Sequence, residues 1–241
     1  MAKINSLHFV ALLCSVMLFV GCGHTLFDGG ESQYSIVVCA DASESEQTAA
    51  KELQSYIQQI SGAELPLKRS NELAEGEKHI FIGYNETYGA ELGVERPATE
   101  SQTYTYRNVG PNLWIYGGSR WGTMYGVYSF LENELGVRWY ATNFTKIVPL
   151  KRWSFKSINR SESPAITFRF NDSYAEERDY AWLGHNKCNS VWSSVNNNYG
   201  GLVGFWGGHT FAYFVPAKEF FATHPEYFAL NGGIRKDKQL C

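Results

Sequence analysis

Cysteine is scarce in this chain, five in 241 residues, and Cys39, Cys188 and Cys241 lie far apart with no Cys-x-x-Cys pair. A disulfide framework is therefore not required, and a chain of this length can bury a core of its own. His185 and Cys188 are three apart, but no second pair completes a zinc set, so no metal is expected. Excess charge of one sign is lacking as well. The net charge is −3 and no basic cluster occurs, which removes the counterion-release term on which nucleic-acid binding rests. The Gly117-Gly118 break before a helical pattern lacks the lysine and spacing of a phosphate-binding loop, and no cofactor is expected.

Aromatic residues are plentiful, at 15% of the chain. They concentrate between Tyr180 and Phe228, interleaved with glycine and asparagine. That mixture suits a sugar-binding cleft, because ring faces stack on apolar sugar faces while amides meet hydroxyls. An aromatic-rich core has the same composition.

The N-terminus reads as a targeting segment. Lys3 gives a positive start, and Phe9 to Val20 is an apolar run too short to span a bilayer comfortably. It ends Phe19-Val20-Gly21-Cys22, which resembles a bacterial lipobox, although leucine is usual where Phe19 stands. Residues 1–22 are then a lipoprotein signal peptide with Cys22 lipidated, and 23–33 a polar tether. The expected location is the bacterial cell envelope, lipid-anchored, with the periplasmic side favoured over the cell surface.

The remainder is organised around Asn112 to Tyr140. Leu113 to Tyr116 is β-prone and ends at Gly117-Gly118; Met124, Val127, Tyr128, Leu131 and Leu135 form one helical stripe; Gly136 stands where a left-handed cap is wanted; and Val137 to Tyr140 resumes as a strand. Upstream, Tyr34 to Ala40 is a strand, and Ser43 with Glu46 has the spacing of a capping box. The helix it opens has the stripe Ala49, Leu53, Tyr56, Ile57 and Ile60, leaves Lys51, Glu52, Gln54 and Gln58 outside, and ends at Gly62. Leu65 to Lys68, His79 to Gly83 and Gln102 to Asn108 are further strands, the last turning back into the central one at Pro111-Asn112. The fold class is α/β. A small sandwich over 34–158 carries two amphipathic helices on one face of a sheet.

Polar residues from Ser154 to Pro164 read as a junction. Beyond it, strands at Ile166 to Asn171, Asn189 to Trp192 and Tyr227 to Leu230 alternate with helices at Glu176 to Gly184 and Glu219 to Thr223. This pattern opens a (β/α)8-type barrel over 165–241. Such a barrel needs about 250 residues. The sequence is accordingly expected to be truncated, with the barrel continuing past Cys241.

These residues resemble a family. Gly117-Gly118-Ser119-Arg120-Trp121-Gly122-Thr123-Met124-Tyr125-Gly126-Val127-Tyr128, followed by Phe130-Leu131-Glu132 and Leu135-Gly136-Val137-Arg138-Trp139-Tyr140, is similar to the domain that precedes the barrel in α-glucuronidases and family 20 hexosaminidases. Gly207-Gly208-His209-Thr210-Phe211, Val215-Pro216 and His224-Pro225-Glu226-Tyr227-Phe228-Ala229-Leu230 resemble the start of the domain of unknown function 4838. That domain is typical of Bacteroides-type lipoproteins and is the core of glycoside hydrolase family 163. The resemblance implies an endo-β-N-acetylglucosaminidase acting on complex N-glycans. Its reaction would be a retaining hydrolysis in which the substrate acetamide attacks the anomeric carbon, assisted by two carboxylates. It also implies that the acids lie beyond residue 241; no residue here matches them, so the catalytic residues are unknown. The alternative is a non-catalytic glycan-binding lipoprotein.

Three residues are candidates for substrate binding. Arg169 alternates with Phe168 and Phe170 and would point a guanidinium into a barrel mouth, or else form an ion pair. Trp206 would be a stacking platform and His209 a partner for a hydroxyl or acetamide. Asn171, Asp172, His185, Asn186 and Trp192 could line the same cleft, while Glu176, Glu177 and Asp179 read as the solvated face of a helix. The expected partners are a glycan substrate and, through the lipid anchor, a membrane.

Overall fold

The computed structural model describes residues 23–171, 179–189, 196–201 and 211–237. The chain divides into two compact units, Met1–Leu202 and Val203–Cys241.

In the first unit the β-branched run Tyr34–Val38 (β2) lies inside a six-stranded sheet with Leu67–Arg69 (β3), Lys78–Ile82 (β4), Tyr104–Val109 (β5), Asn112–Gly117 (β6) and Asn159–Glu162 (β10). The order is β10-β5-β6-β4-β2-β3. Strands β3, β2, β4 and β6 are parallel, while β5 runs antiparallel between β6 and β10. Register aligns Ile36, Ile80 and Leu113 in one row and Val38, Ile82 and Ile115 in another. Side chains alternate across a strand, so Val37, Phe81, Trp114 and Tyr116 fall on the other face. There they are covered by Leu73, Tyr84, Tyr88, Leu92 and Val94, all but Leu73 from Glu86–Leu92 (α2) or beside it.

Helices Glu44–Ser61 (α1) and Gly122–Asn133 (α3) lie on the first face. The capping box at Ser43 and Glu46 is formed, and Gly62 closes α1 at φ 82°, a left-handed conformation that glycine adopts without a Cβ penalty. Helix α3 differs from the expected single stripe: every residue from Gly122 to Leu131 is buried. Its inner side meets the sheet, where a Cβ on Gly126 would come within 2.9 Å of Ile115 Cγ2. Its outer side is covered by later residues, since His185 packs edge-on to Tyr128 and Arg169 lies over Tyr125. A helix apolar all round is a buried helix, and here the second cover comes from distant sequence.

Two polar stretches are strands. The expected tether 23–33 contains His24–Asp28 (β1), whose Leu26 and Phe27 are buried and which pairs antiparallel with Arg152–Phe155 (β9). The expected junction 154–164 contains the end of β9 and all of β10, the strand that covers the edge of β5. An edge strand carries polar residues and so reads as a linker until its backbone partner is known. Arg138–Ala141 (β7) pairs with Phe144–Lys146 (β8) as a separate hairpin.

After Pro164 the strand expected at Ile166 to Asn171 forms no ladder; among the described residues it has one bridge, at Phe170. Asn189 takes the place of a neighbouring strand: its N–H donates to the Arg169 carbonyl at 3.1 Å, its Nδ2 donates to the Thr167 carbonyl at 2.7 Å, and its Oδ1 accepts from Arg169 N at 2.9 Å. Tyr180–His185 (α4) follows, capped by Asp179, and a 3-10 turn spans Asn197–Tyr199. The remainder of the expected strand 189–192 lies outside the described residues.

The second unit contains Phe211–Phe214 (α5), Ala217–Phe220 (α6) and a 3-10 turn at Pro225–Tyr227. It also holds an antiparallel hairpin of Leu230–Asn231 (β11) and Ile234–Arg235 (β12), turning at Gly232 and Gly233, both at positive φ. Tyr227 belongs to the 3-10 turn rather than the strand, because Pro225 at its start fixes a turn conformation. The chain is thus of the mixed α/β class, with an α/β sandwich built on a largely parallel sheet.

Candidate functional site

Open α/β sheets bind ligands beyond the carboxyl ends of their parallel strands, often at a helix N-terminus. Here the chain fills that position itself. Glu46 Oε1 accepts from Thr123 Oγ1 at 3.0 Å in the first turn of α3, and Oε2 accepts from Ser43 N at 3.0 Å. The carboxylate lies against Gly83, where a Cβ would stand 2.8 Å from Oε1. Burial raises the carboxyl pKa, and the Ser43 and Thr123 hydrogen bonds oppose the rise without cancelling it. The Gly117-Gly118 break is equally full: a Cβ on Gly118 would be 2.2 Å from the Ser101 carbonyl oxygen. Close backbone approach explains these glycines, and an anion has no room there.

The densest chemistry lies on the outer side of α1 and α3. Glu52 Oε2 is 2.7 Å from His185 Nε2, and Tyr199 donates to Glu52 Oε1 at 2.9 Å. The imidazole stacks on Trp139 at 4.7 Å between centroids and 20° between planes, with Tyr128 and Tyr56 edge-on. Trp139 Nε1 donates to Tyr56 Oη at 2.6 Å. Burial pushes the Glu52 carboxyl up, yet the hydrogen bond and charge of His185, aided by Tyr128 and Tyr199, bring it below its ordinary value. Tyr128 is driven well above the ordinary phenol value by burial and then by the Glu52 charge.

A carboxylate bound to an imidazole among phenols resembles an acid–base pair. Its enclosure says otherwise. His185 is 8% exposed, and rings cover one face and two edges. The cluster instead joins α1, α3 and β7 to α4 and the 3-10 turn.

Arg169 lies beside this cluster. Its Nε donates to the Lys187 carbonyl at 2.5 Å and its Nη1 to the Ile166 carbonyl at 2.6 Å, while the guanidinium carbon stands 5.3 Å from the Tyr125 ring centre. One of these donors fixes the turn at Lys187, a left-handed residue at φ 58°, and the other the backbone three residues before Arg169. Nη2 is buried without a hydrogen-bond partner among the described residues. Trp206, His209 and Cys22 lie outside the described residues, as do Asp172, Glu176, Glu177 and Trp192. Asp179 is the cap of α4 rather than part of a solvated helical face. Asn186 donates to the Trp182 carbonyl at 2.9 Å. Among the described residues no cluster of His, Cys, Asp and Glu could hold a metal.

Sequence reasoning placed Glu52 on the outside of its helix, named Glu46 only as a capping-box residue and Tyr128 only as part of a helical stripe, and did not single out Tyr199. The available signal was the Glu52–Tyr56 spacing of one turn, which puts the carboxylate above an aromatic on one face. Nothing in the local sequence names His185 as its partner.

Residues 139–241 match the family described as "Domain of unknown function (DUF4838)". No curated protein matches the chain. The solved structures it resembles include that of the family GH115 4-O-methyl-α-glucuronidase BtGH115A, described as having specificity for decorated arabinogalactans. Identity there is 14%, with 70% of this chain and 25% of that chain covered, at a TM-score of 0.51. CpGH84D is matched over 69% of this chain and 27% of that one, with 14% identity and a TM-score of 0.46. The Flavobacterium johnsoniae chitobiase FjGH20 is matched over 68% and 24%, with 13% identity and a TM-score of 0.41. The chain spans about a quarter of the length of these structures. The fold is similar to that of part of the glucuronidase structure.

Proposed function

We propose that the chain is part of an exported, lipid-anchored glycoside hydrolase of the Bacteroides lipoprotein type, similar to glycoside hydrolase family 163. Its substrates are glycans containing N-acetylglucosamine. The α/β sandwich is the accessory domain; the residues after it begin the catalytic barrel. The reading is carried by the fold likeness to a glucuronidase over 70% of the chain, together with the domain match over 139–241.

In this reading the chemistry is an endo-β-N-acetylglucosaminidase-like, substrate-assisted retaining hydrolysis. One carboxylate orients the acetamide and another protonates the leaving oxygen. Glu46 and Glu52 are not those acids, because each is saturated by donors of its own chain. Arg169, Trp206 and His209 are its substrate-binding residues. The chain is held in the bacterial envelope through Cys22, on the periplasmic side.

The test compares the product of the whole gene with the 241-residue chain on a glycoprotein carrying complex N-glycans. Glycan release by the former and none by the latter is expected. Release by the 241-residue chain, or by neither, would sink the reading.

A further inference from the structure

A crevice opens at the carboxyl ends of β2 and β4, beside the cluster of Phe81, Leu73, Tyr84 and Tyr88. Strand order turns there, because β3 follows β2 through α1 on one side while β4 lies on the other. Diverging loops at such a point leave a ligand-sized gap. Glu46 closes the side toward α1 and α3; the side toward α2 stays open.

The open part measures about 550 Å³, inside the range of small-molecule sites. Phe81 forms its floor, with Tyr84 and Tyr88 half-buried beside it. Both phenols are fixed: Tyr84 donates to the Val94 carbonyl at 2.7 Å, and Tyr88 accepts from Asn112 Nδ2 at 2.6 Å. At the rim, the Arg96 guanidinium lies 5.0 Å from the Tyr84 ring centre, 3.0 Å from Glu86 Oε1 and 3.9 Å from Asp41 Oδ2. The three side chains are 49%, 79% and 74% exposed, so a ligand can meet all of them.

The chemistry selects the ligand class. Two carboxylates against one guanidinium leave the rim negative and disfavour an anion. Carboxylates accept from paired hydroxyls, a guanidinium donates to ring and hydroxyl oxygens, and the half-buried tyrosine rings add apolar surface beside them. No imidazole lines the crevice, and the Cys39 thiol is committed to the Tyr84 carbonyl at 2.9 Å. The site is built for holding.

We propose that this crevice binds a short uncharged saccharide through Arg96, Asp41, Glu86 and the Phe81–Tyr88 rings; the proposal rests on the glycan-directed reading above. The probe is N,N′-diacetylchitobiose, titrated into the isotope-labelled chain while the amides of residues 83–88 and 96 are followed, with glucuronic acid in parallel. Saturable shifts with the disaccharide are expected, and Arg96→Ala should weaken them about tenfold through loss of a charged hydrogen bond. Glucuronic acid should leave these amides in place. If Arg96→Ala disturbs folding, the exposed Asp41→Asn supplies the same readout. No saturable shift, unchanged affinity in a folded variant, or tighter binding of glucuronic acid each overturns the assignment. Glycan release by the whole gene product reports on the wider reading separately: release without binding here overturns the crevice alone, and binding without release leaves it standing.

Discussion

Glu52 in the middle of α1 and His185 at the end of α4 are 133 positions apart in sequence and 2.7 Å apart in space. The contact is enclosed by Trp139, Tyr128 and Tyr56, so removing one partner leaves a charge or imidazole poorly solvated.

Glu52→Ala should cost about 3 kcal/mol, the scale of breaking a buried pair by deleting one member. His185→Ala should cost a similar amount. In urea unfolding the double variant should fall well short of the sum, by 1 kcal/mol or more, because the two share one interaction. Additive losses would mean that the pair is incidental.

Acid weakens this contact. The folded Glu52 carboxyl titrates below its ordinary value, so its contribution is complete above the unfolded pKa of about 4.5 and is lost as pH falls through that value toward the folded one. Glu46 has the opposite sign. Its folded pKa is raised, so ionisation opposes folding, and the cost grows as pH rises from the ordinary carboxyl value through the folded one. Glu46→Gln keeps the capping box and should flatten stability against pH just above 4.5. An unchanged slope in a pH series of urea midpoints would contradict this.

His79 supplies a third pH dependence. Burial lowers its folded pKa below 6.5, and Ser35 Oγ lies 2.8 Å from its Nδ1 between paired strands. A neutral histidine in the fold costs nothing at neutral pH, but the unfolded chain takes up a proton first as pH falls through 6.5. Thermal stability should therefore drop between pH 7 and 5.5, and His79→Gln should lessen that drop. An identical drop in the variant would assign it elsewhere.

Gly118→Ala should abolish soluble expression or unfold the sandwich, since its Cβ would collide with the Ser101 backbone at 2.2 Å. Gly126→Ala meets the side chain of Ile115 at 2.9 Å. Its net cost should be about 1–2 kcal/mol, overpacking exceeding the helix-propensity gain of about 1 kcal/mol. Gly126→Ala should keep a cooperative melt at a lowered temperature, and a cooperative melt of Gly118→Ala would contradict the collision.

Anchoring through Cys22 predicts that Cys22→Ala moves the protein from the membrane fraction to the soluble one after cell lysis. Unchanged membrane attachment would remove the lipid anchor from the proposal.

Local chemistry made much of the sandwich legible. The Ser43–Glu46 box, the αL glycines Gly62 and Gly136, the strands around Ile36, Ile80 and Leu113 and the hairpin into Asn112 all follow from short-range pattern. What escaped depended on partners far away in sequence. Strand β10 read as a junction because its side chains are polar, and β1 as a tether because its two buried residues, Leu26 and Phe27, are too short a run to signal a strand before its partner β9 is known. Glu52 read as solvated because its partners, His185 and Tyr199, lie more than a hundred residues downstream. The strand expected around Arg169 is held by Asn189 instead of a neighbouring strand, which the alternation of Phe168, Arg169 and Phe170 cannot show.

The enclosure of α3 on both sides has a consequence for synthesis. As the chain leaves the ribosome, the sheet and the inner side of this helix can assemble once β6 and α3 have emerged. Tyr125 and Tyr128 then stay exposed until Arg169 and His185 have been made. During that interval the nascent domain presents an aromatic seam to its surroundings, and the later segment acts as the lid that ends its exposure to chaperones and aggregation.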